Sequence, residues 1–318
     1  MTTTQFAELG VDQDLVDVLT ERGITAPFEI QTLTIPDGLA GRDVCGRAKT
    51  GSGKTLAFGL PLVQLLSKAK PGRPTGLALV PTRELAVQVC RELEPLAKAR
   101  NISVLAVYGG APIERQIAAL ERGVELVVAT PGRMIDLIER KDLSVADVQK
   151  VVIDEADRMA DMGFMPQVEW ILRRAESDHQ TLLFSATLDG MVGGLISRYQ
   201  QDPVMHEVAA GEATVEEMEH RFLAVHEMDR VKVAATIINA SNRTIVFSRT
   251  KWGADKLTRR LVDEGVKAAA IHGDLRQSQR EKALGDFGKG KVKALVATDV
   301  AARGIHVDDV DVVIHYDP

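Results

Sequence analysis

The string Ala48, Lys49, Thr50, Gly51, Ser52, Gly53, Lys54 and Thr55 has the composition of a loop that closes on phosphate. Its glycines let backbone N–H groups approach phosphate oxygens, Lys54 brings positive charge to the β- and γ-phosphates, and Thr55 brings a hydroxyl for magnesium. Much later in the chain the apolar run Val151, Val152, Ile153 leads into Asp154, Glu155, Ala156 and Asp157. A carboxylate leaving a buried strand can hold a magnesium shell, and the Glu beside it can orient and deprotonate water. The pairing predicts hydrolysis of a nucleoside triphosphate, with Lys54, Asp154 and Glu155 catalytic and Thr55 and Asp154 on the metal.

Each half also has an ordinary reading. Gly-Ser-Gly stretches are commonly flexible loops, and acidic tetrapeptides are commonly solvated turns. Context favours the chemical reading. The loop follows Asp43, Val44, Cys45 and precedes the apolar stretch Leu56 to Leu66, which is the strand, loop and helix setting that phosphate binding needs. Its first position is Ala48 where Gly is usual.

The elements that must carry these residues recur along the chain. Strand-length apolar runs at Leu77–Val80, Val104–Val107, Leu126–Ala129, Val151–Ile153 and Thr181–Phe184 alternate with helix-length segments, which predicts a parallel sheet with crossover helices. The pattern fades after Tyr199, and Gln200 to His220, with Pro203 and an acidic cluster, reads as linker. It restarts at Phe222–Val225, Thr244–Phe247, Ala268–Ile271, Ala294–Ala297 and Val310–His315. The expected architecture is two α/β domains in tandem, at 1–207 and 221–318, joined by 208–220. At 318 residues the length agrees with domains of roughly 100 to 200 residues. Ligands of open parallel sheets gather at the carboxyl ends of strands, so the active site is expected in a cleft between the two sheets.

Composition narrows the partners. The net charge of −6 excludes a protein held to nucleic acid by bulk electrostatics, and 4% aromatics leaves little material for stacking platforms. Any nucleic-acid contact is expected to be local and to the sugar-phosphate backbone. Cys45 and Cys90 lie in apolar segments and read as reduced thiols, and the seven histidines show no metal-ligand spacing. With no signal peptide and no bilayer-length apolar run, the expectation is a soluble, cytoplasmic protein.

Further motifs, in order, make the chain resemble a DEAD-box RNA helicase of superfamily 2. GITAPFEIQ, with Gly23, Pro27, Ile30 and Gln31, is similar to the family's adenine-reading Q motif, and Phe6 stands at the spacing of its upstream aromatic. A Gln amide offers a donor and an acceptor to an adenine edge, and a ring can stack on the base. Taken alone, Gln31 reads as a surface residue and Phe6 as a core residue. Phe28 departs from the family, in which many members carry Thr. The resemblance implies that Pro81, Thr82 and Arg83, Gly109 and Gly110, and Thr130, Pro131, Gly132 and Arg133 grip RNA phosphates and riboses. Each group ends a strand and opens a helix, where free N–H groups and a positive dipole attract anions, although Thr82 and Thr130 also suit plain helix caps. It implies too that Ser185 and Thr187 bond Asp157, coupling hydrolysis to strand separation.

In the second half, VFSRTK with Arg249, HGD at His272, Gly273 and Asp274, then Gln277, Arg280 and Thr298, resemble the family's RNA-facing motifs, and Arg303 its interdomain residue. Alone, His272 reads as a packed strand-end residue. His306 stands where many members carry a ribose-binding Asp. The family continues past a strand like VVIHYDP into an Arg-rich motif whose arginines reach the γ-phosphate. Such a finger contributes about 10³ to 10⁵ in rate in other nucleotide hydrolases, so the chain reads as a piece of a longer protein with its own turnover nearly abolished. The resemblance implies an ATP- and Mg²⁺-dependent RNA helicase that acts as a monomer. Its rivals are a module that binds ATP and RNA with little or no hydrolysis, and a DNA translocase of the same superfamily.

Overall fold

The computed structural model describes residues 5–49, 51–175, 178–188, 190–208, 219–298 and 310–317. Thr50, Arg303, His306 and most of the expected linker lie outside the described residues. The chain divides into two compact units, Met1–Glu217 and Met218–Pro318. Among the described residues no helix is long and apolar enough to cross a membrane.

The first unit holds seven strands: β1 (Val44–Arg47), β2 (Gly76–Leu79), β3 (Val104–Val107), β4 (Leu126–Ala129), β5 (Lys150–Asp154), β6 (Gln180–Ser185) and β7 (Val204–Glu207). They lie in the order β3-β4-β2-β5-β6-β1-β7, and every pairing is parallel. Successive side chains of a strand point to opposite faces, and both faces are buried. Ala78, Val128, Val152 and Leu182 pack on one face with the helices α1 (Gln13–Glu21), α2 (Glu29–Leu39), α3 (Lys54–Leu65) and α4 (Arg83–Ala99). Leu77, Val127, Val151 and Leu183 pack on the other with α5 (Ile113–Leu120), α6 (Pro131–Glu139), α7 (Ala156–Asp161), α8 (Met165–Leu172) and α9 (Gly190–Tyr199).

The second unit is a four-stranded parallel sheet of β8 (Thr244–Phe247), β9 (Ala268–Ile271), β10 (Ala294–Ala297) and β11 (Val312–His315), ordered β11-β8-β10-β9. Its core on one face joins Val246 and Val296 to α10 (Arg230–Ala240) and α11 (Lys251–Asp263), and on the other joins Ile271 and Leu295 to Phe287 of α12 (Gln277–Gly288).

Two expectations change. Residues 204–207, within the stretch Gln200 to His220 that reads from sequence as linker, form β7 on the edge beside β1. Its alternating, half-buried VMHE lacks the continuous apolar run of a central strand. Phe222–Val225 is not a strand: Phe222 is 96% exposed, and among the described residues no neighbouring strand pairs with the segment. An apolar run without an edge to hydrogen-bond has no ladder to join.

Candidate nucleotide site and strand-end surface

Because all strands of the first unit are parallel, all their carboxyl ends lie on one edge. The sheet order then sorts the motifs into two neighbouring groups. The loops after β5, β6 and β1 are adjacent, as are the loops after β3, β4 and β2.

In the first group β1 delivers Ala48–Thr55. Gly51 and Gly53 have φ of 83° and 85°, a left-handed backbone that side chains disfavour. At Gly53 space also forbids one: a β-carbon there would lie 2.4 Å from Gln31 Nε2. The first N–H groups of α3 have no carbonyl one turn earlier within the helix and face the loop. Lys54 is buried, its Nζ donating to the Ala48 carbonyl at 3.1 Å. Ser52 Oγ is buried without a hydrogen-bond partner, whereas Lys49 and Gly51 are exposed.

Ser185, at the end of β6, ties this loop to the acidic strand end. Its carbonyl accepts from Ala48 N–H at 3.0 Å and its hydroxyl accepts from Asp157 N–H at 3.1 Å. The bond to Asp157 therefore runs to its backbone. Thr187 is exposed, and among the described residues no bond links it to Asp157. Asp154 and Glu155 are both buried. Asp154 Oδ1 accepts from Glu155 N–H at 2.9 Å, and Glu155, held at φ 52°, pairs with Arg158 at 2.9 Å.

Gln31 is buried with both ends of its amide engaged: Oε1 accepts from Phe28 N–H at 2.8 Å and Nε2 donates to the Gly53 carbonyl at 2.8 Å. It braces the phosphate loop, and one amide hydrogen and one lone pair remain for a base edge. Phe6 is 2% exposed within the core and offers no open ring face.

The second group is shallower. Thr82 Oγ1 accepts from Leu85 N–H at 3.2 Å and so caps α4. Arg83 lies against Gly110, where φ is 89° and a β-carbon would fall 2.7 Å from Nη1. The left-handed backbone is what favours glycine at that turn, and the guanidinium packs close over it. Pro131 is the first residue of α6, Thr130 makes no cap bond, and Gly109 and Gly132 are exposed. Arg133, expected to add open charge, instead donates to Ala111 O at 3.3 Å and Gln116 Oε1 at 3.1 Å, with Asp136 at 3.5 Å. It fastens the loop after β4 to the loop after β3.

In the second unit Arg249 and Gly273 are exposed, while Arg280 and Thr298 are buried. His272 is buried, its Nε2 3.0 Å from Asp255 Oδ1, so it packs at its strand end instead of facing solvent. Asp274 bonds Lys251 at 2.5 Å, and that bond holds its carboxyl below the usual carboxylate range. Gln277 opens α12.

Sequence reading missed the partners. Gln116, Asp255 and Arg158 look like ordinary surface residues until folding supplies their neighbours. Glu92 on α4 is another: burial pushes its carboxyl up, while the Thr55 hydroxyl and Arg22 pull it down. It comes to Thr55 because α4 packs against α3, which the sequence does not show. Burial pushes the Cys45 thiol up to about 11 and the Cys90 thiol up to about 12, so both stay protonated and inert at neutral pH.

Residues 28–192 match the model of the DEAD/DEAH box helicase family, and residues 228–318 match that of the helicase conserved C-terminal domain. The chain belongs to the DEAD-box helicases. It is 42% identical to the ATP-dependent RNA helicase CshA of Listeria monocytogenes, over 99% of this chain and 61% of that one. It is 41% identical to the CshA of Geobacillus kaustophilus, over 99% of this chain and 68% of that protein. This DEAD-box chain spans about 60% of the length of the first curated relatives it matches. Among solved structures, yeast Dbp5 bound to RNA and ADP BeF3 aligns with a TM-score of 0.84 at 28% identity, covering 98% of this chain and 80% of that one. A DEAD box protein from Methanococcus jannaschii aligns with a TM-score of 0.61 at 38% identity, over 99% and 85%. The two parallel sheets are thus those of two RecA-like domains.

Proposed function

We propose that this DEAD-box protein is an RNA-stimulated ATPase that grips the backbone of single-stranded RNA and locally separates duplexes. The observation that carries the reading is Ser185, whose carbonyl and hydroxyl join the phosphate loop and the acidic strand end into one unit.

The loop from Ala48 to Thr55 would surround the phosphates, with Lys54 neutralising their charge. The unpartnered Ser52 hydroxyl, the two left-handed glycines and the buried carboxylates suit a triphosphate with its cation. Thr55 and Asp154 would hold Mg²⁺, which supplies charge neutralisation to the phosphates when bound. Glu155 would take the proton of the attacking water, its carboxylate aimed by Arg158. Ser185, bonded to Asp157, would relay changes at the phosphates to the rest of the sheet edge.

RNA would lie along the loops after β2, β3 and β4, held by Arg83 and by N–H groups at helix starts, and in the second unit by Arg249, Gly273 and Thr298. Backbone contacts carry no base identity, so binding would be indifferent to sequence. The protonated thiols of Cys45 and Cys90 support our reading of a cytoplasmic protein, which we take to act as a monomer.

The test is phosphate release from ATP by the product of the complete gene, with RNA, with DNA and with neither. Stimulation by RNA alone, together with ATP-dependent separation of a short duplex, is the expected result. Stimulation by DNA, or turnover that ignores nucleic acid, contradicts the proposal.

A further inference from the structure

Phe28 is out of place by every local criterion. It is the N-cap of α2, a position where Ser, Thr, Asp or Asn would bond the helix's free N–H groups and where a phenyl ring cannot. The residue is 61% exposed, so it gains little from burial. It nevertheless stands against the phosphate loop: a β-carbon at Gly53 would fall 2.5 Å from Phe28 Cδ2. The Phe28 backbone is fixed as well, its N–H donating to Gln31 Oε1 at 2.8 Å.

Two other residues show what such a ring can do. Phe6, the aromatic that the family resemblance would assign to base stacking, is sealed in the core and presents no face. Gln31, the residue assigned to reading the base edge, is already bonded at both ends of its amide. An open aromatic face beside Gln31 and Gly53, within reach of a group tethered to phosphates in the loop, is suited to a flat heterocycle. Bases stack on aromatic side chains whatever their identity, because each has a π face.

We propose that Phe28 is the stacking surface for the purine base of the bound nucleoside triphosphate, and that this protein draws base affinity from it more than from Phe6. The inference rests on the nucleotide-site reading above. It assigns Phe28 to holding the base and gives it no part in the hydrolysis step.

The experiment is calorimetric binding of ATP and of inorganic tripolyphosphate, with magnesium and without RNA, to the unaltered chain and to Phe28→Thr, Phe28→Trp and Lys54→Ala. Phe28→Thr is expected to weaken ATP by about tenfold, the scale of one base-aromatic stack, and to leave tripolyphosphate unchanged. Phe28→Trp is expected to keep ATP affinity and to show quenching of its added indole fluorescence by ATP but not by tripolyphosphate. Phe28→Thr puts a preferred capping residue at the start of the helix, so a folding defect is not the expected cause of any loss; its melting curve checks this. ATP affinity in Phe28→Thr within about twofold of the unaltered chain, below what one stack contributes, overturns the proposal. An indole at position 28 that is silent to ATP overturns it too. If Lys54→Ala loses both ligands while Phe28→Thr loses neither, the nucleotide site stands and the stacking role falls. If Lys54→Ala binds both ligands unchanged, the nucleotide-site reading fails, and the stacking role fails with it.

Discussion

One edge of one sheet carries two surfaces of opposite character. After β5, β6 and β1, Gln31, Lys54, Asp154, Glu155 and Ser185 are buried, and bonds join the motifs from Gln31 to Gly53, Lys54 to Ala48, and Ala48 through Ser185 to Asp157. After β3, β4 and β2 the corresponding groups are half-buried or exposed, and the glycines at 109, 110 and 132 face outward. Both begin from the same device, a parallel strand ending at a helix start. The difference lies in how many partners fix each group in advance. Fixed, water-excluded dipoles suit a compact, densely charged ligand undergoing reaction, since they need little reorganisation. A shallow row of helix starts suits a long polymer held at many weak points.

The sharpest way to break this comparison is to disable chemistry on the buried side alone. Glu155→Gln is expected to keep ATP binding and to lower RNA-stimulated hydrolysis by about 10² to 10⁴, the usual contribution of a general base, in a phosphate-release assay. On the open side, Arg83→Ala is expected to weaken single-stranded RNA binding evenly across sequences and to reduce the salt-dependence slope by about one, with ATP affinity unchanged. Filter binding at several salt concentrations measures it. A sequence-dependent loss would show base reading at that loop.

Ser185→Ala probes the joint. The half-buried Asp157 N–H would lose its acceptor, at a cost of about 1 kcal/mol. That lowers the melting temperature of the unit by roughly 2–4 °C per kcal/mol. Unchanged melting would mean that the two motifs are not held together through this hydroxyl.

The smallest effect belongs to the second unit. Its Lys251 bond depresses the Asp274 carboxyl below its ordinary value. A depressed acid contributes stability that is present above the unfolded value and lost as pH falls through the folded one. Asp274→Asn should therefore leave melting near neutral pH almost unchanged, because the pair is exposed, and should flatten the acid limb of a pH series below about 4.

The strands that position both surfaces were legible because central parallel strands are continuous apolar runs; Leu77–Val80 and Thr181–Phe184 need no context to be read. β7 escaped notice because an edge strand buries only alternate residues, and Phe222–Val225 misled because a β-like run says nothing of whether an edge is available. The phosphate loop and acidic tetrad were legible as chemistry, since glycine, lysine and carboxylate have few other uses in that order. What the sequence did not carry was how each side chain is spent. Arg133 is fastened by Gln116 and Ala111, His272 by Asp255, and Gln31 by Phe28 and Gly53, and each of these bonds is made only after the strands are in register.

The central claim is that the buried half of the edge is a nucleotide site and the open half is a separate surface for RNA. Equilibrium titration of Lys54→Ala with ATP, and separately with single-stranded RNA in the absence of nucleotide, tests it most directly. Removing a charge-assisted contact to phosphate should weaken ATP by about 10- to 100-fold while RNA affinity stays unchanged. ATP affinity equal to that of the unaltered chain, or an equal loss of both ligands in a protein that still melts normally, would contradict it.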